Sequence, residues 1–127
     1  MGLITGLHHI AMKCCGKEEF KKTIDFYHNI YGLPIEREWE GGLMIRAGQS
    51  FLEIFDNGTD RPLTGFVRHV AFQTENVDAC IEAARSAGYE VMEEPHNIEF
   101  ASVPPYPARI AFVRGPIGEE VEFFSEL

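Results

Sequence analysis

The chain has 127 residues, 45% of them hydrophobic, which suits one compact domain with its own core. A formal charge of −9 argues against nucleic acid and anionic membranes as partners, because phosphate surfaces need a basic footprint, yet an anionic small molecule needs only one local Lys or Arg. No apolar run approaches the roughly 20 residues of a membrane span, MGLITGLHHI lacks the order of a secretory leader, and three cysteines without a CxxC spacing point to reduced thiols and the cytoplasm.

The first strand signal is His9-Ile10-Ala11-Met12. A helix is predicted over 18–31, where Phe20, Ile24, Tyr27 and Tyr31 recur at helical spacing and Gly32 and Pro34 end the pattern. Strands are predicted at 35–39, 43–47 and 50–55, with turns at Gly41-Gly42 and Gly48-Gln49. The pattern then repeats. His69-Val70-Ala71-Phe72 matches the first signal, Asn76 caps a helix over 77–87, and Gly88 ends it. Strands follow at 89–94, 109–113 and 119–124, the last after the turn Gly115-Pro116-Ile117-Gly118. An extra loop over 95–107 carries Pro95, Pro104, Pro105 and Pro107, so it is neither helix nor central strand. The expected fold is α+β. Two βαβββ modules, about 5–58 and 66–127 of a single domain spanning 1–127, form a cupped mixed sheet with helices on its outer face.

Alternation assigns the side chains. His9, Ala11 and Lys13 share one strand face, as do His69, Ala71 and Gln73; Ile10, Met12, Val70 and Phe72 suit the helix side. In Phe51-Leu52-Glu53-Ile54-Phe55 and Glu120-Val121-Glu122-Phe123-Phe124, Glu53 and Glu122 lie opposite their apolar neighbours. Each repeat thus offers an early His and a late Glu on its helix-free face. A lone strand His is more often an ordinary polar group than a ligand; recurrence at equivalent places reverses that. Imidazole with carboxylate suits Ni, Co, Zn, Fe or Mn. His8 points the other way by alternation and has no partner in the repeat, where Arg68 stands at the equivalent position, so His9 is the expected ligand. His28 and His96 are expected in solvent, as is Glu120.

LHHIAMKC leading to TIDFYHNIYGLPI, then FLEIFDNG, VRHVAFQTENVD and IAFVRGPIGEEVEFF, span essentially the whole chain. In these segments the sequence resembles the vicinal oxygen chelate superfamily, which includes glyoxalase I, bleomycin-resistance proteins, methylmalonyl-CoA epimerase and extradiol dioxygenases. It is most similar to bacterial glyoxalase I, the lactoylglutathione lyase. The resemblance implies one divalent metal ion, Ni or Co favoured and Zn the alternative, held by His9, Glu53, His69 and Glu122. It implies isomerisation of a hemithioacetal of a 2-oxoaldehyde through an enediolate, with Glu122 as base and Glu53 as its counterpart. It also implies a homodimer whose sites are shared between chains. Lys13 and Asn57 fall where the family holds glutathione. Lys lacks the guanidinium fork of Arg, and the proline-rich loop has no Lys, so another thiol or a CoA ester stays open. Arg46, Arg109 and Arg114 are further candidates for an anionic substrate, and Trp39, Phe100 and Tyr106 for an apolar pocket. The alternatives are a non-catalytic, drug-sequestering protein of the bleomycin-resistance type and a CoA-ester epimerase.

Overall fold

The computed structural model describes residues 2–3, 5–60, 65 and 67–127. Position 66, where the second module is expected to begin, lies outside the described residues, as does the side chain of Phe100. The chain forms two compact units, Met1–Arg61 and Pro62–Leu127.

In the first unit, strand β1 (His9–Lys13) leads to helix α1 (Lys17–Ile24), which continues as a π-helical segment, Asp25–Ile30. Strands β2 (Ile35–Trp39), β3 (Gly42–Ala47) and β4 (Ser50–Phe55) follow. The sheet order is β1-β4-β3-β2, with β1 parallel to β4 and the other pairs antiparallel. The second unit repeats this plan with β5 (Val70–Gln73), α2 (Val77–Ser86), β6 (Val91–Phe100), β7 (Tyr106–Arg114) and β8 (Glu120–Glu126), ordered β5-β8-β7-β6. The fold is therefore α+β, two βαβββ modules of identical strand order.

Period-2 patterning decides which face is dry. Met12, Ile54 and Leu43 lie in one cross-strand row, and Leu52 and Ile45 in the next; all are buried. Thr23, Phe26 and Tyr27 are buried on the helix, and the Cys14 thiol donates to Thr23 Oγ1 at 3.3 Å, tying the helix to the end of β1. In the second unit Val121, Val113, Phe123 and Ala111 are the buried partners, and α2 buries Val77, Ile81 and Ala84 as it packs over β6, β7 and β8. Asn76 caps α2 as expected, its Oδ1 accepting from Ala79 N–H at 3.0 Å. The three cysteines lie outside any disulfide. Among the described residues no helix is long and apolar enough to cross a membrane.

Three expectations are corrected. The first helix does not keep α-helical periodicity to Tyr31: its π-helical turn puts Phe26 beside Tyr27 in the core, while Phe20, Ile24 and Tyr31 are only half-buried. Most of the 95–107 loop is strand, because β6 runs through Pro95 to Phe100 and β7 starts at Tyr106. β6 is the edge strand, and its register shifts between Glu93 and His96, so the missing N–H of Pro95 breaks no central ladder. His28 is not a solvent residue: it is half-buried, with Nδ1 2.7 Å from the carbonyl of Leu33 just past the helix end.

Candidate functional site

Each unit presents one histidine–glutamate pair on the sheet face opposite its buried rows. β1 and β4 run parallel with Ala11 opposite Glu53, so the carboxylate sits diagonally beside His9, two residues earlier on the same face. His9 Nε2 lies 3.4 Å from Glu53 Oε1. In the second unit Ala71 is opposite Glu122, and His69 Nε2 lies 3.1 Å from Glu122 Oε1. The same residue types at the same register offset thus recur in both units.

The two pairs differ in surroundings. Glu53 keeps partial exposure, whereas Glu122 is buried, at 7% exposure. Burial pushes the Glu122 carboxyl above the ordinary carboxylate range; His69 pulls it back and the nearby Glu93 charge pushes it up again. Glu93 and the intervening Phe112 were not among the sequence-based candidates. Phe112 is opposite Glu122 on β8 and opposite Glu93 on β6, so the three form one row. Its ring meets His69 edge-on, with centroids 5.3 Å apart. The register shifts on either side of Glu93 hid this row from simple alternation. His96 is exposed as expected, but it belongs to β6 and its Nε2 lies 3.4 Å from Glu93 Oε2. Glu120, expected in solvent, is half-buried.

Lys13 is exposed on the same face as His9 and Glu53, its Nζ 6.0 Å from the Phe55 ring centre. Asn57 is exposed just beyond β4, where it bridges to Cys15. The three arginines are engaged. Arg46 binds Glu36 at 2.6 Å, Arg109 grips Asp78 with two bonds of 2.8 Å, and Arg114 reaches Gly118 O at 3.1 Å. Trp39 and Tyr106 stay partly exposed, Trp39 edge-on to Phe55 and Tyr106 near Phe124 with its hydroxyl donating to Glu126.

An imidazole nitrogen beside a carboxylate oxygen is donor chemistry that fits a divalent ion, and each unit supplies one such pair. Among the described residues no three His, Cys, Asp or Glu side chains form a group able to enclose a metal.

The profile of the Glyoxalase/Bleomycin resistance protein/Dioxygenase superfamily matches residues 6–123. Solved structures share the fold over nearly their whole length. A glyoxalase family protein from Enterococcus faecalis is 24% identical with a TM-score of 0.73, over 97% of this chain and 99% of that one. One described as a glyoxalase family protein from Bacillus anthracis is 19% identical with a TM-score of 0.72, over 100% and 99%. A lactoylglutathione lyase from Agrobacterium tumefaciens is 16% identical with a TM-score of 0.64, over 96% and 94%. No curated protein matches the chain.

Proposed function

This chain belongs to the Glyoxalase/Bleomycin resistance protein/Dioxygenase superfamily, and from that premise we propose that it is a metal-dependent lyase or isomerase of the glyoxalase I type. The observation that carries the reading is the matched pair of pairs, His9 with Glu53 and His69 with Glu122, at one register offset in both units. Chance accounts poorly for a histidine and a glutamate recurring side by side at equivalent places in both units. Its likeness in fold to a lactoylglutathione lyase supports the same reading.

The four side chains would hold one divalent ion, Ni or Co before Zn, whose Lewis acidity acts on the oxygens of the substrate. The proposed assembly is a cytoplasmic homodimer, with His9 and Glu53 of one copy meeting His69 and Glu122 of the other. The substrate is a hemithioacetal of a 2-oxoaldehyde and a thiol. Glu122 takes the proton from the carbon that bears sulfur and delivers it to the neighbouring carbon. The first carbon is oxidised to a thioester as its hydroxyl gives up a proton, and the second is reduced to a hydroxyl-bearing carbon as its oxygen takes one up, so the rearrangement balances within one molecule. Glu53 is the counterpart of Glu122 on the opposite side. Lys13 and Asn57 hold the polar end of the thiol.

The test is metal content on stripped protein re-equilibrated with Ni, Co or Zn, followed by turnover of hemithioacetals. One ion per chain is expected, lost in Glu53→Gln and in Glu122→Gln. No uptake above background would sink the enzyme reading and leave a sequestering protein of the bleomycin-resistance type as the better account.

A further inference from the structure

Arg37 was not among the sequence-based candidates, because a bulge in β2 re-aims it. Ile35 is opposite Ile45, which is buried on the helix side, so strict alternation would turn Arg37 to that side as well. The register slips between Ile35 and Arg37, and Arg37 comes opposite Met44, itself opposite Glu53. Ala11, Glu53, Met44 and Arg37 therefore form one row on the face that carries His9. The second unit has the same slip at the same place: Val91 is opposite the buried Val113, and Glu93 is opposite Phe112, in the row of Glu122. In each unit the edge strand thus turns one charged residue to the face of the histidine–glutamate pair, with opposite sign in the two.

Arg37 is exposed and, among the described residues, has no hydrogen-bond or ion-pair partner. Its neighbours do not supply one. Glu36 is taken by Arg46 at 2.6 Å, and Glu38 is opposite Leu43, on the helix side. Arg46, Arg85, Arg109 and Arg114 all reach a carboxylate.

We infer that Arg37 is a specificity-determining residue that holds a carboxylate of the substrate. The inference rests on the proposed reading of the Glu53 face as the reaction site. Strands lie about 4.8 Å apart, so Arg37 stands roughly 10 Å from Glu53 across the sheet, which sets the carboxylate a few bonds beyond the reacting carbons. A guanidinium meets a carboxylate with two parallel N–H···O bonds. One arginine between Glu36 and Glu38 matches a single negative charge better than the double charge of a phosphate. Met44, and Trp39 opposite Gly42, give the intervening chain an apolar floor on the same face.

The experiment compares kcat/KM of wild type, Arg37→Gln and Arg37→Lys, each supplied with nickel, on three hemithioacetals. One, from methylglyoxal and 2-mercaptoethanol, is uncharged. The others carry a carboxylate on the thiol, with 3-mercaptopropionate, or on the aldehyde, with 4,5-dioxopentanoate. Wild type is expected to favour one carboxylated substrate over the uncharged one, and which one it favours shows the half that bears the group. Arg37→Gln lowers this preference about 10- to 100-fold, mainly through KM, the worth of a hydrogen bond to a charged group. Arg37→Lys keeps the charge without the fork and recovers part of it. No preference in wild type, or one that Arg37→Gln leaves intact, overturns the inference. If wild type turns over none of the three, the lyase reading falls and binding decides Arg37 by itself: 3-(methylthio)propanoate is titrated against its uncharged amide, followed by the emission of Trp39, two residues from Arg37 on the same face. Saturable binding of the carboxylate alone, weakened about 10-fold or more by Arg37→Gln, upholds the anchor; an equal response of both proteins, or none, overturns it.

Discussion

His69 Nε2 stands 3.1 Å from Glu122 Oε1, and that carboxylate is among the most deeply buried charged groups of the described residues. Burial disfavours its ionised form more than His69 favours it, so its folded pKa lies above the unfolded one. The folded state therefore binds more protons than the unfolded state between those two pKa values, and stability falls as pH rises through that window. Below the unfolded pKa the carboxyl is neutral in both states and the penalty vanishes. Glu122→Gln in metal-free protein is accordingly expected to raise Tm at neutral pH, with the gain shrinking as pH falls through the carboxylate range. Thermal melts of both proteins across pH check this; a gain independent of pH would mean that packing, not charge, is responsible.

Much of this arrangement is legible from residues alone, because period 2 is strict. Leu52 and Ile54 are buried, so Glu53 must take the other face; His9 and Ala11 follow from Met12 in the same way. The repeat then locates the second pair. What alternation misses lies where the chain leaves the regular strand. His8 precedes β1, so its contact with His9 could not be read from parity. Register shifts on both sides of Glu93 conceal its row with Phe112 and Glu122. Phe26 enters the core only because a π-helical turn changes the spacing after Ile24. Pro95 reads as a break, but on an edge strand its missing N–H has no ladder partner to lose.

If His9, Glu53, His69 and Glu122 act on one ion, binding must stabilise the folded chain, since the unfolded chain offers no assembled site. At free nickel roughly 100-fold above Kd the gain is about 2.7 kcal/mol, or about 10 °C in Tm for a chain of this size. Chelator should reverse it, and Glu53→Gln should nearly abolish it without changing the metal-free melt as much as Glu122→Gln does, because Glu53 is less buried. Calorimetric scans with and without nickel make the comparison. An unchanged nickel shift in Glu53→Gln would remove that residue from the ligand set.

Helix α2 starts on a single side-chain cap, the Asn76 Oδ1 bond to Ala79 N–H at 3.0 Å, whereas Gly16 before α1 has none to lose. Asn76→Ala is expected to cost about 1 kcal/mol. Urea melts should show a lower midpoint at constant slope. A change below a few tenths of a kcal/mol would mean that another group takes over the orphan N–H.

Gly42 starts β3, and the indole of Trp39 lies against it. A methyl group added at Gly42 would come within 2.6 Å of Trp39 Nε1, so the ring must move in Gly42→Ala. Trp39 is already 41% exposed and meets Phe55 only edge-on, with centroids 5.9 Å apart. The ring can therefore swing outward, and the expected cost is about 1 kcal/mol, the low end for an overpacked contact. Trp39 is the single tryptophan of the chain, so emission reports its movement directly. Gly42→Ala should shift the native emission to longer wavelength and leave that of the urea-unfolded protein unchanged. Because Trp39 shares its cross-strand row with Gly42, Phe55 and Lys13, the same substitution opens the end of the face on which Lys13 stands. An unshifted native emission would mean that the backbone of β3 yields in place of the ring, and a stability loss well above the expected value should then accompany it.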